Sequence, residues 1–321
     1  MALLKGKRVM VTGAAGFIGA NLVRRLLLSG AEVHALLRPT SRLWRVEDLF
    51  PSLRRHSVDL ADFSTLKETV RAVKPEIIFH LATESGHPAT ESERDAALKS
   101  NLLGTAYLLE SVEPIPYEHF IHFGSSLEYG PKNHALRETD LPEPVTYRGA
   151  TKAAAALLCR QFACAGNRPM AILRPFSVYG CWEGPKRFIP TALAASLQGR
   201  EISLTAPDLR HDFIFVEDVL DACFLALEKP DLRGDIFNIG SGRQVTNKEV
   251  IEIIEKIAHQ KIKVSVKCYP TRLHDTDFWL ADIQKAKTIL NWSPRYSLEE
   301  GLQKTLSWLE RHPSFYSGNP A

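Results

Sequence analysis

Three glycines near the start of the chain have the spacing of a phosphate-binding turn. Gly13, Gly16 and Gly19 follow a predicted strand at residues 8–11 and open a predicted helix at residues 18–29. Glycine has no side chain, so the turn can be tight and its backbone can approach a pyrophosphate closely. The start of the helix adds unpaired N–H groups and a positive partial charge. The pattern therefore favours a dinucleotide-binding turn over an ordinary glycine turn.

The end of the second predicted strand, residues 32–37, indicates which dinucleotide is bound. An NAD site usually has an Asp or Glu there, bonded to the ribose 2′-hydroxyl, but residues 33–42 contain no acid. Arg38 and Arg42 could instead pair with the 2′-phosphate of NADP, which suits the forked guanidinium. The alternative is two solvated surface arginines. We expect NADP(H) in preference to NAD(H).

The elements that position these residues alternate regularly over the first two-thirds of the chain. Short apolar runs indicate buried strands at residues 8–11, 32–37, 77–81, 120–123 and 171–173. Between them, apolar residues recur at helical spacing over residues 18–29, 64–73, 96–111 and 151–165. Strands that alternate with helices of this length predict βαβ units and a parallel sheet. We therefore expect an α/β fold with a Rossmann-type, doubly wound sheet.

The rhythm changes from about Trp182 onward. Predicted helices at residues 190–198, 218–228, 247–259 and 298–311 are separated by short strands and many turn residues. We expect a cofactor-binding domain at residues 1–181, a smaller C-terminal α/β substrate lobe at 182–313 and a frayed tail at 314–321. Residues 210–216 resemble a strand that, with the helix at 218–228, rejoins the first domain.

Composition excludes several classes of function. Hydrophobic residues make up 45% of the 321 residues, enough for a sizeable core, and the net charge of +3 comes from interspersed acids and bases that form no nucleic-acid footprint. No apolar run reaches the roughly 18 residues of a membrane span, and the N-terminus lacks the pattern of a signal peptide, which favours a cytoplasmic protein. The cysteines are odd in number and lack CxxC spacing, so we expect reduced thiols, mostly in the core, and no metal site: Cys159, Cys164, Cys181, Cys223 and Cys268.

The GxxGxxG spacing resembles that of the short-chain dehydrogenase/reductase superfamily. Further motifs resemble its extended branch, the NAD(P)-dependent nucleotide-sugar epimerase/dehydratase family: Asp59-Leu60, His80-Leu81-Ala82, Asn101, Arg174-Pro175, the DFIFVED sequence at 212–218 and the LNWSP sequence at 290–294. The similarity extends from Lys7 to about Leu309. It implies a nucleotide-diphosphate sugar as partner and these cofactor contacts: Gly13, Gly16, Phe17, Ile18, Gly19, Asp59, Leu60, Leu81, Ala82, Asn101, Lys152 and Ser177.

The resemblance also implies a set of catalytic residues. In this superfamily a Tyr transfers the proton of a carbonyl–alcohol conversion, a Lys one helical turn later lowers the Tyr pKa and holds the nicotinamide ribose, and a Ser binds the same substrate oxygen. Ser125 falls on the Ser of the family, with Ser126 as the alternate. Lys152 lies in an ATKAAA sequence that is similar to the helix of the family.

The tyrosine position departs from the family pattern. The pattern is YxxxK, because residues four apart share a helix face, but Tyr147 precedes Lys152 by five residues and Arg148 occupies the aligned position. A bulge near Gly149 could return the Tyr147 hydroxyl to that face, and on this basis we expect Tyr147 to be the acid/base. Alternatively, Tyr147 is only a packing aromatic, and the activity is altered or lost.

Substrate contacts are implied at Thr83, Glu128, Arg187, Arg210 and His211. Where the family usually has Arg before DFI, this chain has His211, with Arg210 one residue earlier. Ser177 replaces the usual Asn after the Arg-Pro-Phe sequence. Arg187 is a candidate contact for phosphate or base, and its alternative is a surface arginine at a helix start.

The segment around Ser125 bears on the type of reaction. Sugar dehydratases of this family have an additional acid and base at the positions of Ser126 and Leu127, so dehydration is not expected here. The SSLEYG sequence resembles that of 4-keto-sugar reductases, which predicts reduction of the C4 keto group of a nucleotide-linked 4-keto-6-deoxyhexose. A 4-epimerase with tightly bound NAD(P) is the alternative, and a redox-silent NADP(H) sensor is a third hypothesis.

Association of two chains is implied by the same resemblance. The predicted helices at 96–111 and 151–165 correspond to the pair that forms a four-helix dimer interface in relatives. We therefore expect a homodimer.

Overall fold

A computed structural model describes residues 4–84, 86, 88–204, 206–266 and 278–313. Two of the predictions above, for Cys268 and for the tail at residues 314–321, lie outside the described residues. The described strands are β1 (Arg8–Thr12), β2 (Glu32–Leu37), β3 (Arg54–Ser57), β4 (Ile77–His80), β5 (His119–Phe123), β6 (Met170–Pro175), β7 (Ser177–Tyr179), β8 (Ile202–Leu204), β9 (Arg210–His211), β10 (Phe213–Phe215), β11 (Arg233–Ile239), β12 (Val245–Thr246) and β13 (Val264–Val266).

The described α-helices fill the connections between these strands. They are α1 (Phe17–Leu28), α2 (Phe63–Val73), α3 (Glu91–Ala97), α4 (Gly104–Val112), α5 (Tyr147–Ala165), α6 (Phe188–Gln198), α7 (Val216–Leu227), α8 (Asn247–Ala258) and α9 (Leu298–Arg311). None of these helices combines the length and the apolar character needed to cross a bilayer, as judged on the described part of the chain.

The central sheet has seven parallel strands in the order β11-β6-β5-β4-β1-β2-β3. The order reverses direction between β1 and β4, which is the switch point of a doubly wound sheet, where ligands bind at the carboxyl ends of the strands. The predicted Rossmann-type α/β fold is therefore confirmed.

Helices cover both faces of this sheet. Helices α1 and α7 pack together on one face, over the largest core cluster, which includes Val11, Leu22 and Phe237. Helices α2, α4 and α5 cover the other face, over a core that includes Ile78 and Phe120. Burial of both faces explains why the strands read as continuous apolar runs rather than as alternating ones.

Helices α3 and α4 form one continuous helical segment, interrupted by a π-helical turn at Leu98–Leu103. This turn is absent from the uniform helix predicted at residues 96–111. It buries Asn101, and the glycine that follows it, Gly104, lets the chain approach Leu60 closely: a Cβ on Gly104 would lie 2.8 Å from the Leu60 Cβ. Such turns often occur at functional sites.

The C-terminal region contributes a separate core, in addition to the two on the faces of the sheet, where α6, α8 and α9 pack on one another. Its buried residues include Tyr179, Trp182, Ile254 and Leu306. The limits that we predicted for the two domains and the tail, and the return of residues 210–228 to the first domain, remain predictions. Residues 210–216 form two short strands rather than one: β9 pairs with β12 and β10 pairs with β7, outside the seven-stranded sheet.

Candidate functional site

The glycine turn lies at the carboxyl end of β1, as the sequence predicted. Gly13 has a φ of +69°, and a Cβ added to it would lie 2.7 Å from the backbone nitrogen of Ala82. A Cβ on Gly19 would overlap the Gly13 carbonyl oxygen. The turn is thus pressed against the end of β4, and only hydrogen fits at these positions. This side-chain-free cradle at the start of α1 fits the pyrophosphate of a dinucleotide.

A buried histidine fixes the neighbouring end of β4. His80 Nδ1 lies 2.7 Å from Thr12 Oγ1, and His80 Nε2 lies 2.8 Å from Thr105 Oγ1. The Thr105 hydroxyl donates to the Asn101 carbonyl, so Nε2 must carry the ring proton and donate to Thr105. Thr12 also accepts from the Ala82 N–H at 3.1 Å. Burial lowers the pKa of His80 to about 3, so the ring stays neutral and positions the predicted cofactor contacts at Leu81 and Ala82.

Asn101, in the π-helical turn, connects the end of β4 to α5. Its Oδ1 accepts from the Glu84 backbone N–H at 2.7 Å and from the Thr83 hydroxyl at 3.0 Å. Its Nδ2 donates to Thr151 Oγ1 at 3.0 Å, beside Lys152. Two residues that the sequence predicted separately, Thr83 and Asn101, are therefore in direct contact, next to the predicted catalytic helix.

The segment after β5 is held by an ion pair that does not reach solvent. Glu128 Oε1 accepts from the Ser125 N–H, and Glu128 Oε2 accepts from Arg174 Nε, both at 2.7 Å. Burial raises the pKa of Glu128, and the charge of Arg174 opposes this rise. Because the Glu128 side chain is completely buried, its geometry gives it a positioning role for Ser125 rather than the substrate contact expected from the sequence.

The two candidate serines differ in their bonding. Ser125 Oγ accepts from the Leu127 N–H at 3.2 Å, which leaves the hydroxyl hydrogen able to donate to a substrate oxygen. Ser126 Oγ accepts from the indole nitrogen of Trp279 at 3.2 Å. Trp279 was not predicted from the sequence, since nothing local to it signals a contact 153 residues away. Ser125 is therefore the better candidate for binding the substrate.

Lys152 is buried beneath this segment. Its Nζ donates to the carbonyl oxygen of Phe123, two residues before Ser125. Burial lowers the pKa of Lys152 to about 8, and the nearby charge of Arg148 lowers it further, whereas that of Glu128 opposes the shift. The ammonium thus lies at the carboxyl end of β5, the strand that Ser125 follows.

The first turn of α5 is regular. The Thr146 hydroxyl caps the helix by accepting from the Gly149 N–H at 3.0 Å, and the Ala150 N–H donates to the Thr146 carbonyl at 2.9 Å. The bulge that would return the Tyr147 hydroxyl to the Lys152 face is therefore not formed. At about 100° per residue, Tyr147 lies about 140° around the axis from Lys152, and Arg148 about 40°. Arg148 thus occupies the position at which the sequence pattern leads us to expect tyrosine.

The region after β2 contains the two arginines assigned to the cofactor phosphate. Arg38 Nη1 lies 3.5 Å from Glu84 Oε2, in a half-exposed ion pair, and Arg42 is exposed. Asp59 is exposed and accepts from the Ala61 N–H at 2.9 Å, while Leu60 is buried against Gly104. These side chains follow strands β2 and β3, on the same edge of the sheet as the glycine turn.

The predicted substrate contacts of the second region are spread over several elements. Arg187 is the N-cap of α6, and its guanidinium lies 3.7 Å from the buried carboxylate of Glu183. The charge of Arg187 also lowers the pKa of Arg148. Arg210 and His211 form β9, and the Ser177 N–H donates to the Asp212 carbonyl at 3.0 Å. Within this set, Arg187 is near enough for its charge to act on Arg148, which lies on the Lys152 helix.

Asp212 organises the loops beneath these residues. Its carboxylate accepts from the backbone N–H groups of Ser241, Gly242 and Ala281 at 2.6, 3.1 and 3.0 Å. Burial raises its pKa to about 6 although these bonds favour the charged form. The contact holds the segment that includes Trp279 against the strand at Ser177.

Comparison with known proteins places this arrangement among nucleotide-sugar enzymes. Residues 9–240 match the NAD dependent epimerase/dehydratase family. A UDP-glucuronate 4-epimerase from Thermodesulfobacterium geofontis is 28% identical over 313 residues, which cover 93% of this chain and 95% of that protein.

Solved structures resemble this chain over most of its length, as two examples show. The UDP-glucose 4-epimerase of Thermotoga maritima, crystallised with UDP-glucose, is 26% identical with a TM-score of 0.87, covering 95% of this chain and 99% of that one. MoeE5, in complex with UDP-glucuronic acid and NAD, is 31% identical with a TM-score of 0.83, over the same shares.

Proposed function

This chain belongs to the NAD dependent epimerase/dehydratase family, and we propose that it inverts C4 of a UDP-linked hexose or hexuronic acid. The observation that carries this proposal is similarity over both lobes to 4-epimerases whose names or complexes include UDP-glucose and UDP-glucuronic acid. The comparisons support this alternative better than the 4-ketoreductase that the sequence favoured.

The site geometry disfavours the dehydratases of the same family. Elimination of water needs an acid and a base in addition to the group that takes the alcohol proton. In the segment after β5, Ser126 accepts a hydrogen bond from Trp279, Leu127 is apolar, and the Glu128 carboxylate is paired with Arg174. Within this described segment no carboxylate is left to assist such a step.

The cofactor in this proposal is NAD(P), which when bound would supply a hydride acceptor and donor for the sugar C4. The glycine cradle at Gly13 and Gly19 fits its pyrophosphate. The preference for NADP(H) stays a prediction that rests on Arg38 and Arg42, since the structures of the relatives contain NAD. Ser125 would hold the reacting sugar oxygen through its free hydroxyl hydrogen.

The experiment is to incubate the purified protein with NAD or NADP and a panel of UDP-hexoses and UDP-hexuronic acids, and to separate the products by chromatography. A new C4 isomer without net change of cofactor supports the epimerase. Oxidation of NADPH by a nucleotide-linked 4-keto sugar would instead identify a ketoreductase. Tight NADPH binding without any turnover would favour the redox-silent sensor.

A further inference from the structure

We propose that Lys152 Nζ, rather than a tyrosine hydroxyl, exchanges the proton with the reacting sugar oxygen, with Arg148 as a positioning residue one helical turn before it. The proposal rests on the proposed function, because it concerns the proton of the C4 hydroxyl. It differs from the tyrosine mechanism implied by the family pattern.

Helix α5 brings Arg148, and not Tyr147, to the face of Lys152. The helix is regular from its Thr146 cap, so Arg148 lies about 40° around the axis from Lys152 and Tyr147 about 140°. Burial lowers the pKa of the partly buried Arg148 guanidinium, on which the charges of Arg187 and Glu84 also act. A tyrosine hydroxyl beside Lys152 is therefore replaced by a guanidinium, which does not lose a proton in proteins.

The Lys152 amine lies at the carboxyl end of β5. It donates to the Phe123 carbonyl, and the backbone continues from there through Gly124 to Ser125. A substrate oxygen bound by the Ser125 hydroxyl therefore lies at the same strand end as Nζ. An ammonium has three donors, so one bond to Phe123 leaves others for the substrate.

The buried positive charge of Lys152 is poorly compensated by nearby acidic groups. The side chain is buried, which lowers its pKa to about 8, and Arg148 acts in the same direction. The opposing carboxylate, Glu128, is already paired with Arg174. The other titratable groups facing this interior are neutral or weakly acidic: His80 from β4, His122 from β5 and Cys159 from α5. The amine can thus exist in both protonation states near neutral pH.

These features define a balanced proton exchange. In the oxidising half, the O4–H bond breaks and its proton goes to the neutral amine of Lys152, while the C4 hydrogen leaves with its electron pair to the nicotinamide of NAD(P). The C4–O bond becomes a carbonyl. In the reducing half, the hydride would return with its electron pair from the reduced nicotinamide to the opposite face of C4, the carbonyl would become a C–O single bond, and the ammonium of Lys152 would return the proton to O4. Arg148 donates no proton and favours the neutral amine through its charge.

The test compares three variants of the full-length protein with wild type. Lys152→Arg keeps a cation and its donors but cannot be deprotonated, so we expect at least a 100-fold loss of kcat, with NAD(P) affinity within a few-fold of wild type by titration calorimetry. Tyr147→Phe, the matched control on the same helix, should retain kcat within about threefold. Arg148→Gln should move the pH dependence of kcat/KM to higher pH.

A readout independent of turnover is the titration of Lys152 itself. The 13Cε shift of 13C-lysine-labelled protein is followed against pH by NMR, with the Lys152 signal assigned from the Lys152→Arg spectrum. We expect a midpoint near pH 8 in wild type, higher by about one pH unit in Arg148→Gln. A 100-fold loss in Tyr147→Phe, retention of more than a tenth of kcat in Lys152→Arg, or an ordinary lysine midpoint would each overturn the proposal.

This design separates two failures. If wild type isomerises none of the sugars, the proposed function fails, while the NMR titration still reports whether Lys152 and Arg148 interact as described. If wild type isomerises a sugar but depends on Tyr147, the function stands and the assignment of the proton to Lys152 falls.

Discussion

Glu128 accepts a hydrogen bond from Arg174 Nε at 2.7 Å, and neither side chain of this ion pair reaches solvent, with 0% and 3% of their surfaces exposed. Glu128 follows β5, and Arg174 is the next-to-last residue of the adjacent strand, β6. The second oxygen of the carboxylate holds the Ser125 N–H. One buried carboxylate therefore ties the candidate active-site serine to the sheet.

Glu128→Gln should destabilise the fold strongly. The amide is similar in size but leaves the Arg174 cation buried without its counter-charge, which typically costs about 3–5 kcal/mol. The measurement is the free energy of unfolding from urea titrations. Glu299→Gln, in the solvent-exposed pair with Lys256, is the matched control and should cost less than about 1 kcal/mol. Equal losses in both variants would contradict the role given to the buried pair.

Ser125→Ala and Ser126→Ala should separate catalysis from packing. The Ser125 hydroxyl has a free hydrogen for the substrate oxygen, so its loss should reduce kcat by about 10²–10³ without changing stability much. Ser126 accepts from Trp279, and its loss should affect stability by about 1 kcal/mol, with kcat within tenfold of wild type. Steady-state kinetics and urea unfolding of both variants test this, and a larger kcat effect at Ser126 would reverse the assignment.

Gly19→Ala should weaken cofactor binding. The added methyl group overlaps the Gly13 carbonyl oxygen, so α1 or the turn must move away from the position that cradles a pyrophosphate. We expect at least a tenfold weaker affinity for NAD(P), measured by fluorescence titration. Gly86→Ala is the control, because the nearest atom to its Cβ is a Glu84 carboxylate oxygen at 3.9 Å. Unchanged affinity in Gly19→Ala would argue that the cofactor binds elsewhere.

Arg38→Gln tests the preference for NADP(H). If Arg38 pairs with the 2′-phosphate, its loss removes a charge-assisted hydrogen bond, which corresponds to about a tenfold weaker affinity for NADPH. The affinity for NADH should not change. Arg54→Gln provides the control, since Arg54 is an exposed arginine on β3 that lies 3.6 Å from Glu32. An equal effect on both cofactors would leave Arg38 as a surface arginine.

The homodimer can be tested through exposed leucines. Leu98 and Leu103 in the π-helical turn and Leu157 on α5 are 38%, 41% and 57% exposed, on the helices from which the sequence resemblance predicts a dimer interface. We expect wild type to sediment as a dimer and Leu157→Glu as a monomer, because a buried unpaired carboxylate disfavours association. Leu28→Glu, at the end of α1 where Leu28 is 86% exposed, should leave the dimer intact. A monomeric wild type would overturn the expectation.

Local sequence patterns were sufficient for most of the fold. Five strands of the sheet and the helices between them were predicted from apolar periodicity, because burial of one helix face or both strand faces determines which residues are apolar. The glycine turn was predicted from a different signal: its tight contacts require glycine at fixed spacing. Family motifs added Ser125, Asn101 and Lys152.

The sequence did not determine which distant residues the buried polar groups contact. Residues 46 positions apart form the Glu128–Arg174 pair, and Ser126 and Trp279 are separated by 153 positions. Which buried group meets which depends on strand order, and no local period encodes it. The first turn of α5 was determined partly by sequence and partly by structure. The sequence shows that Tyr147 precedes Lys152 by five residues, but only the Thr146 cap and the regular turn show that Arg148 lies on the lysine face.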